Sequence, residues 1–144
     1  MISKGCKYAI RAAVFIAAQV GTNKKFGVKE IAEEIQAPPA FTAKLLQILN
    51  KHKIVTSLKG PYGGFFCETY QLDLPVIDIV NAIDGKAVFH ECVMGLHRCS
   101  NDHPCPMHYH YAEIRDNLEV SFQQTTLRTL ASDLTGGDVF LKNK

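Results

Sequence analysis

No stretch of this chain stays apolar long enough to cross a membrane as a helix. The run near its start, Ala12 to Ala18, is seven residues, against the roughly 20 that a bilayer requires. It follows Lys4, Lys7 and Arg11 without the small-residue cleavage pattern of a secretory leader. The cysteines number five, an odd count, and three of them crowd into one segment. That distribution does not suit a disulfide-stapled secreted domain, so a reduced, cytoplasmic protein is expected. Also missing is any serine–histidine–acid arrangement, and the thiols read better as ligands than as nucleophiles, which argues against an enzyme.

Negative charge is scarce in the first half. Residues 1–66 carry ten Lys or Arg against three Glu, whereas residues 67–144 carry six against eleven Asp or Glu. The halves are therefore +7 and −5, which sum to the overall +2. A basic half joined to an acidic one suggests that the first part meets a polyanion while the second does something else. At 144 residues and 47% hydrophobic composition, the chain is sized for one domain with a real core, or for a small domain with an added dimerisation element.

The basic half has helical periodicity. Ser3 is placed to cap a helix from Lys4 to about Val20, ended by Gly21-Thr22-Asn23. In Val28 to Ile35, the residues Val28, Ile31, Ala32 and Ile35 share one face. Pro38-Pro39 breaks the chain. A further helix is expected from Pro39 to His52, with Phe41, Leu45, Ile48 and Leu49 inward and Thr42, Ala43, Lys44, Gln47, Asn50 and Lys51 towards solvent. Two short helices at a tight break make a helix-turn-helix.

A wing follows. Ile54 to Leu58 is extended in character, Lys59-Gly60-Pro61-Tyr62-Gly63-Gly64 is a turn, and Phe65-Phe66-Cys67 begins a return strand. The turn joins two strands and lacks a Lys-Ser/Thr ending, so it is not a nucleotide-binding loop. Pro39, Thr42, Lys44, Gln47, Lys51, Lys59, Tyr62 and Gly63 are accordingly the expected DNA-binding residues.

Beyond the wing, Leu74-Pro75 introduces a short apolar helix that Asp84-Gly85 ends. The segment Cys92 to His108, CVMGLHRCSNDHPCPMH, then places Cys92, Cys99 and Cys105 with His97, His103 and His108 within seventeen residues. Packing does not account for such crowding of soft ligands. The gaps are too wide for a short CxxC knuckle, and the residue types suit either zinc or an iron–sulfur cluster held by three thiolates and a fourth ligand. His97 and His103 read as surface-loop residues, and Cys6 and Cys67 as structural thiols. From His108 to Leu134, Tyr111, Ile114, Leu118, Phe122, Thr125, Leu127 and Leu130 recur near helical intervals. One long helix is expected there, burying its stripe against a second copy.

Ser3-Lys4-Gly5, Tyr8-Ala9-Ile10-Arg11-Ala12, the wing Lys59 to Phe65 and the loop of Cys92, Cys99 and Cys105 followed by a helix together resemble the Rrf2 family of bacterial winged-helix transcription regulators. Its members include regulators of iron–sulfur cluster biogenesis, nitric-oxide sensors and cysteine-metabolism regulators. The resemblance covers nearly the whole chain. It implies a mainly α fold with a small β-wing, a homodimer, a palindromic double-stranded operator, and a [2Fe-2S] or [4Fe-4S] cluster whose state changes DNA affinity. Cys92, Cys99 and Cys105 match the family's ligand cysteines, and His108 matches the histidine that completes the cluster in the biogenesis branch. In the nitric-oxide branch an N-terminal acidic residue can supply the fourth ligand. Gly5-Cys6-Lys7-Tyr8 has no carboxylate, which favours [2Fe-2S] over [4Fe-4S]. The expected division is 1–84 for DNA, 85–108 for the cluster, 109–134 for dimerisation and 135–144 as a tail. A structural zinc site, a clusterless thiol regulator and a protein-interaction module are the alternatives.

Overall fold

The computed structural model describes residues 1–143. It is mainly helical: α1 (Lys4–Ala17), α2 (Val28–Ile35), α3 (Pro39–Lys51), β1 (Thr56–Leu58), β2 (Gly64–Phe66), α4 (Val76–Asp84), α5 (His108–Gln124) and α6 (Leu127–Thr135), with 3₁₀ turns at Thr69–Asp73 and Lys86–Phe89. This is the mainly α, small-wing architecture expected of the sequence.

Ser3 starts α1, its Oγ accepting the Cys6 N–H at 3.0 Å. The helix is buried on most sides because Ala9, Ala12, Ala13 and Ala17 are small enough for α2, α3, α4 and α6 to close around it. Leu46, Leu49, Ile31, Ile35, Ile54 and Leu127 complete this core. Each such side chain, taken fully out of water, contributes about 1.5–3 kcal/mol.

Gln36, in the left-handed conformation at φ 54°, stops α2, and Pro39 opens α3. The buried stripe of α3 differs from expectation. It runs through Thr42, Leu45, Leu46 and Leu49, while Phe41 turns outward to 38% exposure and packs edge-on against Tyr8. α3 meets both α1 and α2, so its inward arc is set by two neighbours rather than by its most apolar residues.

The wing is an antiparallel pair with Thr56 opposite Phe66 and Leu58 opposite Gly64. Phe26 adds a bridge to Phe65, its N–H donating to Phe65 O at 3.0 Å and its carbonyl accepting from the Phe65 N–H at 2.8 Å. Buried Gln71 anchors the wing's base. Its Nε2 donates to Lys53 O at 2.9 Å, and its Oε1 accepts from the Glu68 N–H at 2.8 Å and Thr56 Oγ1 at 3.2 Å.

The single helix expected from His108 to Leu134 is two. Val76 N–H donates to Thr125 O at 2.8 Å and Leu127 N–H to Leu74 O at 3.0 Å, pairing Pro75 with Thr126 as a short bridge. This draws Thr125 and Thr126 into extended conformation, and Thr126 Oγ1 then caps α6 by accepting the Thr129 N–H. Consequently α6 folds back into the core, with Leu127 fully buried, while α5 packs along α4 through Leu118 and Phe122 and leaves most of its other residues exposed. In the tail, Leu141 packs against the core while Phe140 is exposed.

Candidate nucleic-acid interface and thiol site

The face of α3 next to the wing carries the expected polar groups, with one exception. Pro39, Lys44, Gln47 and Lys51 are exposed, as are Lys59 and Tyr62 at the wing, Tyr62 at 91%. Gln47 lies with Asn50, Ser57, Leu58, Lys59 and Gly64 along a groove of ≈ 340 Å³ between α3 and the wing. Thr42 does not belong to this set. It is fully buried, and its Oγ1 donates to Pro38 O at 2.9 Å, which makes it part of the hinge between α2 and α3. Thr42→Ala is expected to lower unfolding stability by about 1 kcal/mol through the lost hydrogen bond. Chemical denaturation measures this, and an unchanged midpoint contradicts the assignment.

Gly63 is half-buried at the turn, its N–H donating to Gly60 O at 3.0 Å. A Cβ there would collide with the Leu58 carbonyl oxygen. Its contribution is therefore close backbone passage at the wing, with no side chain to offer DNA.

The thiol site lies between the 3₁₀ turn Lys86–Phe89 and α5. Cys92 is buried, and its thiol is held below the ordinary range by the backbone N–H groups of Leu96 and Met94, then by the Cys105 thiol and the Gly95 N–H. The Gly95 N–H donates to Cys92 O at 2.9 Å, so the chain turns back on itself directly after this cysteine. Gly95, at φ 77°, gives the chain the curl this requires. Cys99 Sγ stands 3.2 Å from His108 Nδ1, and His108 Nε2 stands 2.6 Å from Asn101 Oδ1. His108 opens α5 and is buried. His97 and His103 are exposed.

The four ligand candidates thus form two pairs, Cys92 with Cys105 and Cys99 with His108. Among the described residues no three His, Cys, Asp or Glu side chains close on one point in metal-holding geometry. The donor chemistry nonetheless fits a soft centre: three thiols and one buried imidazole.

Arg115, Asn101 and Gly95 went unnoticed in the sequence. Arg115, 7% exposed, donates from Nη1 to Glu91 O at 3.3 Å and from Nη2 to Asp116 Oδ1 at 2.9 Å. Burial alone would depress its pKa, but the adjacent Cys99 thiol and the Asp116 carboxylate raise it, so the guanidinium stays charged beside the thiols. The available signal was spacing. Arg115 lies two turns from His108 on α5, which puts both on the inward face.

Cys6 and Cys67 behave differently. Burial, with the Asp84 charge added at Cys6, pushes each thiol from 9.0 to about 12. A thiol that keeps its proton only when folded contributes stability that is full below the unfolded value near 9.0 and is lost as pH rises towards about 12. At mildly alkaline pH, native metal-free protein should alkylate at Cys92 while Cys6 and Cys67 resist until denaturant is added. Mass spectrometry reads the difference, and native labelling of Cys6 or Cys67 at the rate of Cys92 contradicts it.

The family model described as Rrf2, iron-dependent transcriptional regulator, matches residues 2–133. The chain belongs to the Rrf2 family. Like the family, it is a DNA-binding transcription regulator and not an enzyme. A putative HTH-type transcriptional regulator of Aquifex aeolicus is 29% identical over 132 residues, covering 90% of each chain. The HTH-type transcriptional regulator IscR of Sodalis glossinidius is 25% identical over 133 residues, 92% of this chain and 79% of that protein. Among solved structures, CymR (YrzC), the global cysteine regulator of B. subtilis, superposes with a TM-score of 0.75 at 23% identity, over 92% of this chain and 97% of CymR. That likeness establishes the winged-helix fold of an Rrf2 member. No helix among the described residues is long and apolar enough to cross a membrane.

Proposed function

We propose that this Rrf2 protein is a cytoplasmic homodimer that binds a palindromic operator and senses redox state, nitric oxide or iron–sulfur status through a cluster held by Cys92, Cys99, Cys105 and His108, [2Fe-2S] in preference to [4Fe-4S]. The observation that carries this reading is the loop's folding of the Cys99 thiol against the buried His108 imidazole, Sγ to Nδ1 at 3.2 Å, in a segment that also holds Cys92 and Cys105. A loop built only to connect α4 to α5 has no need to bring soft ligands of two kinds together against a helix start. When bound, a cluster with one imidazole ligand supplies a redox-responsive centre of raised potential.

In this reading residues 1–84 contact DNA, 85–108 hold the cluster and α5 supplies the dimer surface. Helix α6, expected within the dimerisation segment 109–134, packs into the core of its own chain ahead of the tail at 135–144. Pro39, Lys44, Gln47 and Lys51 enter or flank a major groove while Lys59 and Tyr62 form the wing contact, on a turn whose shape Gly63 sets. Outward Tyr109, Ile114 and Val120 on α5 offer apolar surface to a second copy. The route from loop to DNA runs through a second core cluster in which Val88 and Phe89 pack with Cys6, Ile77 and Val80. Ser3 ties the same region together, its N–H donating to Asp84 Oδ2 at 2.7 Å and its hydroxyl to Oδ1 at 2.5 Å. Ordering of the loop therefore bears on the start of α1 and on α4, and so on the setting of the two winged halves.

Anaerobic purification with a visible absorption spectrum and iron, sulfide and zinc analysis tests the cofactor. Colour with matched iron and sulfide is expected, and a colourless protein with stoichiometric zinc sinks the cluster in favour of a structural metal. Clustered and apo protein should then differ in operator affinity at one stated salt concentration. Lys44→Gln or Lys51→Gln should each reduce the slope of log affinity against log salt by about 1 if it contacts a phosphate.

A further inference from the structure

The hydrogen bonds of the loop decide which nitrogen His108 has free. A neutral imidazole carries one N–H and one lone pair, and a partner at either nitrogen fixes which is which. His108 Nε2 lies 2.6 Å from the carboxamide oxygen of Asn101, a group that accepts and does not donate. The ring proton therefore belongs on Nε2. Nδ1 keeps the lone pair, and it is Nδ1 that stands 3.2 Å from Cys99 Sγ, on the thiol side of the ring.

Asn101 is itself held in place. Ser100 Oγ accepts the N–H of Asp102 at 3.1 Å and of His103 at 3.4 Å, a side-chain-to-backbone turn that sets the chain on either side of the carboxamide. The imidazole is confined from the other side. The His108 N–H donates to Cys105 O at 3.0 Å, and the ring meets Tyr109 edge-on at 5.0 Å between centroids. With the ring buried and both nitrogens engaged, rotation to present Nε2 to the thiols would leave Asn101 without its donor and turn an N–H towards Cys99.

We propose that Asn101 is a positioning residue of the thiol site: it holds His108 as the Nε2–H tautomer, so that His108 ligates through Nδ1. The ligation half rests on the cluster reading above, whereas the tautomer half rests on the hydrogen bonds of the metal-free chain. The two halves can be tested separately.

Long-range proton–nitrogen NMR correlation on full-length apo protein, at a pH where imidazole is neutral, reads the tautomer directly, with the His108 signals assigned by their loss in His108→Gln. The expected result is a proton on Nε2; a proton on Nδ1 overturns the proposal. The protein is then reconstituted anaerobically with iron and sulfide, reduced, and examined by electron–nuclear double resonance with histidine labelled at one ring nitrogen. Strong coupling is expected from Nδ1, and strong coupling from Nε2 overturns the ligation half. Asn101→Leu removes the acceptor, while Asn101→Asp keeps an oxygen in the same place. Loss of an outer partner of this kind should speed iron release to a chelator by about tenfold or more, with rescue by Asn101→Asp and an unchanged thermal midpoint. Iron retention and tautomer equal to wild type in Asn101→Leu overturn the role of Asn101. If Asn101→Leu fails to fold, the wild-type tautomer and the Asn101→Asp protein still decide. If wild-type protein takes up no iron or sulfide, the cluster reading and the ligation half fail together, and the apo tautomer alone decides whether Asn101 holds the ring.

Discussion

Cys92→Ser is expected to reduce cluster occupancy from near stoichiometric to close to nil while leaving the fold intact. Serine nearly matches cysteine in size, and Cys92 belongs to neither hydrophobic core cluster, so little packing is lost. What disappears is a soft thiol whose pKa is lowered by its backbone surroundings and the Cys105 thiol. A serine hydroxyl stays protonated there and is a hard, weak donor for iron. Iron and sulfide analysis after anaerobic reconstitution measures the effect, with circular dichroism reporting the fold. Serine at Cys6 or Cys67, both buried and both with raised pKa, is the contrasting control, expected to hold wild-type iron. Equal iron in Cys92→Ser and wild type would remove Cys92 from the ligand set.

Gly63→Ala is expected to displace the wing, at a cost of about 1–3 kcal/mol by overpacking. The new methyl runs into the Leu58 carbonyl oxygen and crowds the Lys59 backbone, and neither can yield without shifting the β1 end of the turn. At the adjoining Gly64, φ 144° and a virtual Cβ 2.8 Å from Phe26 O leave no slack on the other side. Because Lys59 and Tyr62 ride on this turn, operator affinity should fall tenfold or more, about 1.4 kcal/mol, with iron content unchanged. Gly60→Ala is the comparison. Gly60 has open space at its Cβ position but a φ of 109°, so it reports conformational strain without collision. Wild-type affinity in Gly63→Ala would show that the wing contributes nothing to operator binding.

How much of this molecule can be read without coordinates depends on the range of the interactions involved. The ends of α2 at Val28 and Ile35, the cap at Ser3, the opening of α3 at Pro39 and the close of α4 at Asp84 are all local. Each follows from a cap, a proline, a glycine or an apolar period within a few residues. The wing turn was legible for the same reason. The family, too, is carried by short motifs in order, and the match over residues 2–133 agrees with them.

The failures share a physical cause, since each was decided by an element distant in sequence. Thr42 looked like a solvent-facing polar residue because a helix of alternating character does not say which arc two neighbouring helices will cover. Contact with both α1 and α2 put Thr42 inside and Phe41 at the edge. The apolar period through Thr125 and Leu127 predicted one helix, but Leu74 to Val76 competes for the same backbone groups and wins, with hydrogen bonds of 2.8 and 3.0 Å. Nothing in the sequence near Arg115 marks it as buried, and only folding places it beside Cys99.

The thiol loop marks the boundary most clearly. Sequence by itself determined that this is a basic winged-helix half joined to a segment of three cysteines and a histidine, because residue type and local order suffice for that. Tertiary structure decided that Cys92 pairs with Cys105 and Cys99 with His108, that Asn101 takes the second ring nitrogen, and that a buried guanidinium stands beside the thiols. Those pairings depend on the path of an irregular chain between two helices, and no periodicity governs such a path.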